Sequence, residues 1–203
     1  MNLRFSFQFA AIAMVSVAAL HAEAPVADEV GMLRTAVDEV LAIAYSQQAA
    51  TTPLSERVRP TLEKYFSFES VTRRAIGPGW RQFTPEQKKL TTHLFTELVI
   101  RTYANRFEAG ERPGITYSKA VILDPARPTL RELPTTIDYA GKKYAVSYRV
   151  EQVGGSWLIY DVNIEGVSMI ANWRSQLDPI FQRGGAVAVI AALEKNLSQE
   201  PAK

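Results

Sequence analysis

The chain has 203 residues, 47% of them hydrophobic, with 23 Lys and Arg against 21 Asp and Glu. That length suits one domain able to bury a core and still enclose a cavity, and so even a charge balance gives no general attraction for nucleic acid. Cysteine is absent, which excludes disulfides and thiolate nucleophiles; of the two histidines, His21 lies in or beside the leader described next, and His93 alone cannot build a multi-histidine zinc site.

Arg4 precedes an apolar run from Phe5 to Leu20, and small residues follow around Ala22-Glu23-Ala24. This is the order of a secretory signal, and the run is shorter than the ~20 residues of a spanning helix. Residues 1–24 are therefore expected to be a cleaved signal peptide, cut after Ala22 or Ala24, with an uncleaved anchor as the alternative. Residues 25–203 are expected to form a single exported domain.

Val30, Leu33, Val37, Val40, Leu41 and Ala44 recur at helical spacing. After Thr51-Thr52-Pro53, a second short helix is expected around Val58, Leu62 and Tyr65-Phe66, with Pro60 inside it. Ser67 is placed to cap a third helix, which Gly77-Pro78 stops. Thr84-Pro85-Glu86-Gln87 is a capping box with proline at the first helical position. The helix it starts should run to about Phe107 and bury Leu90, Leu94, Phe95, Leu98, Val99 and Thr102.

Strands are expected next, over Ile115 to Leu123 and Thr135 to Tyr139. Pro125, Pro128 and Pro134 make the connection irregular and suggest an edge. Tyr144, Val146, Tyr148 and Val150 alternate with Ala145, Ser147 and Arg149. Tight turns are read at Ala140-Gly141-Lys142 and Gly154-Gly155. In the following strand Leu158, Tyr160, Val162 and Ile164 are expected on one face, with Trp157 and Ile159 opposite. A strand apolar on both faces implies that this end of the sheet is covered on both sides. The chain then returns to helix, interrupted at Asp178-Pro179. Helices, an antiparallel meander and a closing helix make an α+β domain with helices packed on one face of the sheet.

Catalytic motifs are sparse. His93 and Glu97 stand one turn apart and could move protons; an exposed polar pair is the simpler explanation. Asp138 and Asp161 lie on strands, where a carboxylate inside a cavity could serve as a base and a solvated one would do nothing. No phosphate loop, nucleophile elbow or zinc-protease motif occurs.

Several segments, in order, resemble one family. They are Tyr65-Phe66-Ser67-Phe68, Arg73-Arg74-Ala75-Ile76-Gly77-Pro78-Gly79-Trp80-Arg81, the Thr84-Pro85-Glu86-Gln87 helix start and Arg101-Thr102-Tyr103-Ala104. Val146-Ser147-Tyr148-Arg149-Val150, the run from Trp157 to Ser168 and Asn172-Trp173-Arg174-Ser175-Gln176 continue the series. Together they are similar to the MlaC or toluene-tolerance auxiliary family, departing at Ser67, where an acid is expected, and at Asp178-Pro179.

The resemblance implies an NTF2-like or cystatin-like fold with a helical annex and a lipid pocket between sheet and helices. It implies a periplasmic carrier, not an enzyme, whose cargo is phospholipid and which needs no cofactor or metal. Its implied partners are an outer-membrane lipoprotein–porin complex and an inner-membrane ABC transporter with a substrate-binding ring, and its role is to maintain outer-membrane lipid asymmetry. A hopanoid or other apolar-lipid binder, or an enzyme on the same scaffold, is the alternative. The strand alternation and helix stripe nominate Leu94, Phe95, Leu98, Val99, Val146, Tyr148, Val162 and Ile164 as pocket walls. Arg73, Arg74 and Arg81 are the most concentrated positive charge and the candidate docking edge for partners.

Overall fold

The structure is a computed structural model, and it describes residues 28–46, 51–104 and 111–199. The expected signal peptide and the expected helix end at Phe107 lie outside the described residues. The elements run α1 (Glu29–Ala44), α2 (Leu54–Tyr65), α3 (Phe68–Ile76), a 3-10 helix (Gly77–Gln82), α4 (Pro85–Ala104), β1 (Gly114–Tyr117), β2 (Val121–Ile122), β3 (Leu130–Tyr139), β4 (Lys142–Val153), β5 (Ser156–Ile164), β6 (Val167–Ser168) and α5 (Met169–Ser198). This is the expected α+β architecture.

The helix starts follow their capping chemistry. Asp28 accepts from the Val30 amide at the head of α1. At α4 the box closes in both directions: the Gln87 amide donates to Thr84 Oγ1 at 3.2 Å, and the Thr84 amide donates to Gln87 Oε1 at 3.0 Å. Ser67 holds the cap position of α3 without a side-chain hydrogen bond. Its amide instead donates to the Ile159 carbonyl at 2.9 Å, tying the helix to β5. Gly77 ends α3 with φ +73°, and the chain continues as a 3-10 helix instead of a loop.

The sheet is antiparallel, in the order β1-β3-β4-β5-β6, with β2 also paired to β3. Three hairpins turn on two residues, Ala140-Gly141, Gly154-Gly155 and Glu165-Gly166. All six carry positive φ, the backbone that matches strand twist in tight hairpins.

Three sequence expectations are corrected. The stretch Ile115 to Leu123 divides into β1 and β2 at residues 118–120, and Pro134 lies inside β3 between the positions those two strands occupy. The Pro134 carbonyl accepts from the Ser118 amide. A residue's N and C=O point to the same side of an antiparallel strand, so the missing proline N–H faces this gap and no ladder bond to β4 is lost.

A register shift in the β4–β5 pairing leaves Tyr160 as the extra residue, since Val150 pairs with Ile159 and Arg149 with Asp161. The bulge reverses the alternation. Val162 and Ile164 therefore share a face with Trp157 and Ile159, and Tyr160 points into the opposite cluster. Lastly, α5 runs through Pro179 and breaks at Gly184 and Gly185.

Side chains separate into two main clusters on the two sheet faces. Val71, Ile76, Trp80, Phe83, Phe95, Leu98, Tyr160, Phe181, Val189 and Leu193 join α3, the 3-10 helix, α4 and α5. On the other face Met32, Leu33 and Ala36 of α1 and Tyr65 of α2 pack on Leu133, Val150, Trp157 and Ile159. The bulk of the helices occupies one face, and the end of β5 that is apolar on both sides is covered on both. In the broad α4 stripe Phe95, Leu98 and Val99 are buried and Leu94 is half-buried, but Leu90 and Thr102 are exposed. Thr91, Ile100 and Ala104 are buried in addition, because α2 and α5 both pack on this helix.

Candidate functional site

The face of the sheet under α1 carries an apolar row that crosses the strands. Val146 pairs with Thr135 on β3 and Ile164 on β5, and Thr135 pairs in turn with Tyr117 on β1. One step along, Tyr148 pairs with Leu133 and Val162. Cross-strand partners share a face, so Val146, Tyr148, Val162 and Ile164 form one surface. Tyr117, Tyr148 and Val162 are half-buried against the α1 cluster, as are Val37 and Ala120. At the far end Ile164 is 42% and Val167 62% exposed. The surface thus runs from enclosed to open.

Tyr148 sits in its enclosed part. Burial pushes its hydroxyl up to about 12, with nearby Tyr117 adding to the effect. The side chain nevertheless keeps accessible surface. Tyr117 is raised as well, by burial and then by Asp38, while Arg34 opposes the shift. The Arg34 guanidinium lies 4.3 Å from the centre of the Tyr117 ring.

The four α4 residues nominated with this surface are placed elsewhere. Phe95, Leu98 and Val99, with Leu94 partly buried beside them, pack in the helical cluster with α3 and α5. Phe95 meets Trp173 edge-on at 5.3 Å. The structure brings the four sheet residues together and the four α4 residues together, in separate clusters.

The arginines also divide. Arg74 is half-buried: it donates to Glu151 at 2.9 Å and lies 4.0 Å from the Tyr160 ring centre. Arg73 and Arg81 are exposed.

The carboxylates open to catalytic readings are otherwise employed or solvated. His93 is exposed, and Glu97 takes both guanidinium nitrogens of Arg59. Asp138 is exposed. Asp161, buried, accepts from Ser168 Oγ at 2.7 Å and from the Ile170 amide at 3.0 Å, anchoring the start of α5 with Arg149 3.6 Å away. Among the described residues no group of His, Asp and Glu could hold a metal ion, and no helix is long and apolar enough to cross a membrane. A cleft of about 350 Å³ lies among Ser55, Glu56, Arg59, Glu97 and Arg101, and another of about 310 Å³ beside Arg112 and Asp138. Both are walled by charged groups already paired or in contact with solvent.

Sequence reasoning did not nominate Tyr117, Val37 or Ala120. Tyr117 stands two residues after Ile115, and that alternation marks it as sharing a face with the apolar residue. The α1 residues were visible as a helix stripe, though not as a roof.

Three comparisons bear on this arrangement. The family model described as "MlaC protein" matches residues 34–195. The toluene tolerance protein ttg2D of Pseudomonas putida is 29% identical over 105 residues, and that match spans about half of each chain, 52% of this one and 48% of the relative. A phospholipid-binding protein from Ralstonia solanacearum, solved in complex with a phospholipid, superimposes with a TM-score of 0.74 at 28% identity, covering 84% of this chain and 97% of that one. The family match extends from within α1 to within α5, over most of the elements described above, and the chain belongs to the MlaC family.

Proposed function

We propose that this protein is a periplasmic phospholipid carrier, made with a cleaved signal peptide over residues 1–24. It receives lipid from one membrane complex and delivers it to another: an outer-membrane lipoprotein–porin complex on one side, an inner-membrane ABC transporter with a substrate-binding ring on the other. Its work maintains the lipid asymmetry of the outer membrane. It carries out no chemistry and uses no cofactor.

The observation that carries this reading is the likeness, over nearly the whole of the other chain, to a protein solved with a phospholipid in place. Physical chemistry supports it. Each methylene withdrawn from water is worth ~0.8 kcal/mol, so two chains of about fifteen methylenes approach roughly 24 kcal/mol. That excludes a passage through water. The bilayer offers the chains the same gain, so a carrier need only match it, with apolar walls and no acid–base groups. In this reading the acyl chains lie along Val146, Tyr148, Val162 and Ile164.

Native mass spectrometry of protein purified from cells tests the reading: phospholipid should co-purify. A Val146→Glu variant should fold and carry none, since an unpaired charge against acyl chains is costly. A folded variant with its normal lipid load would overturn the placement, and lipid-free wild-type protein would overturn the carrier. Docking on both partners falls to the exposed Arg73 and Arg81. Reversing both to Glu should slow lipid transfer and weaken its salt dependence while bound lipid stays unchanged.

A further inference from the structure

We infer that Arg34, seated on the Tyr117 ring at the rim of the sheet surface, binds the phosphodiester of the carried lipid, so that this carrier selects phosphate-bearing lipids over neutral ones with the same chains. The inference rests on the carrier reading and adds a specificity determinant to it.

Arg34 projects from α1 and is exposed. Its guanidinium stacks 4.3 Å from the Tyr117 ring centre and pairs with no carboxylate among the described residues. The neighbouring acid, Asp38, makes no hydrogen bond to Arg34 among the described residues and lies 3.9 Å from an Arg112 nitrogen in an exposed pair. This contact uses none of the N–H donors of Arg34, and no hydrogen bond joins them to a described residue. A planar donor fork held this way matches a phosphate oxygen pair in two parallel hydrogen bonds.

Beneath the fork the surface supplies what a diacyl lipid presents next. Tyr117 and Tyr148 stand on β1 and β4, flanking β3 on one face. Neither hydroxyl has a hydrogen-bond partner among the described residues. Two free phenol donors in an otherwise apolar wall suit the acceptor-only ester carbonyls that join glycerol to the chains. Beyond them the buried Val146 and the half-buried Val162 offer apolar surface alone. Cation, phenols and aliphatic wall thus follow one another in the same sequence as phosphate, ester and chain.

The test uses the mature protein stripped of lipid and exposed to vesicles containing equal amounts of phosphatidylglycerol and a diacylglycerol with the same chains. Bound lipid is extracted and the ratio measured by mass spectrometry. Wild-type protein should favour phosphatidylglycerol. Arg34→Gln should lower that preference about tenfold, the low end for a charge-assisted hydrogen bond, with total bound lipid nearly unchanged. Tyr117→Phe keeps the stacking ring and should keep the preference; Tyr117→Leu removes the seat and should lose much of it. Added inorganic phosphate should leave the ratio unaltered, because it gains nothing from the wall.

An unchanged ratio in Arg34→Gln would overturn the inference, as would a parallel fall in both lipids. Displacement of phosphatidylglycerol by inorganic phosphate would make the site one for free phosphate. Uptake of neither lipid by wild-type protein would instead overturn the carrier reading beneath it.

Discussion

Gly79 is the tightest point of the helical cluster, and replacing it with alanine should destabilise the protein measurably. A Cβ built on Gly79 lies 2.5, 2.6 and 2.8 Å from three ring carbons of Phe181, well inside the 3.5–4.0 Å at which carbons attract. The ring cannot easily yield. Phe181 stacks on Phe83 with centroids 5.9 Å apart, and Phe83 in turn meets Trp80 at 5.2 Å. Overpacking of this kind costs about 1–3 kcal/mol. For a chain of this size each kcal/mol moves the midpoint by roughly 2–4 °C, so Gly79→Ala should melt about 2–12 °C lower by circular dichroism. Phe181→Leu should destabilise by itself, because it leaves a gap, yet combined with Gly79→Ala it should cost less than the sum. A Gly79→Ala midpoint equal to the wild type, or strict additivity in the double variant, would refute the packing argument.

Other variants probe separate elements. Thr84→Ala removes one half of the α4 capping box and should cost about 1 kcal/mol in urea titration, with Gln87→Ala adding little on top. Asp161→Ala strands the Ile170 amide and Ser168 hydroxyl at the start of α5, and should cost about 1–3 kcal/mol; a neutral result would mean that α5 is anchored by packing alone. Arg74→Glu, unlike reversal of the exposed Arg73, should lower stability, since it sets a second carboxylate against buried Glu151. The Tyr148 proton is held more tightly in the folded chain than in the unfolded one. Its stabilising contribution is therefore complete below pH 10 and is lost as pH rises from there to about 12. Ultraviolet titration should find a tyrosine step near pH 12, and Tyr148→Phe should remove it.

The helices were legible because their signals are local. The Thr84 box, the α1 stripe and the hairpin turns each need only a few adjacent residues, and each stands where the sequence placed it. The misreadings have the opposite character. Nothing within β5 announces that Tyr160 is supernumerary; the extra residue exists only relative to its partner Arg149–Val150 in β4. Strict alternation therefore carried Tyr160 to the wrong face and separated Val162 from Ile159. Pro134 misled for a related reason. A proline is excluded from a strand only where its nitrogen must face a neighbour, and that is decided by the gap between β1 and β2. In α5 the proline looked like the break, but two adjacent glycines five residues on provided the conformational freedom instead.

The same distinction governs the candidate site. Alternation placed Val146 and Tyr148 on one face of β4, and the β4–β5 register unites them with Val162 and Ile164. The α4 stripe is equally apolar and equally periodic, yet it faces α3 and α5. A helix stripe says that a face is covered and carries no information about what covers it. The roof over the sheet surface comes from α1, more than a hundred residues from Val146 in sequence, and its contribution is read only from contacts such as Arg34 on Tyr117. An arginine on the exposed side of an amphipathic helix is ordinarily a solvated charge. It becomes a candidate for recognition here because an aromatic ring lies beneath it, no carboxylate among the described residues pairs with it, and tyrosine hydroxyls without a partner among the described residues lie below it. Each of these is a tertiary fact, so the specificity proposed for Arg34 would be written in the contacts of the rim even where the apolar wall is visible in the sequence.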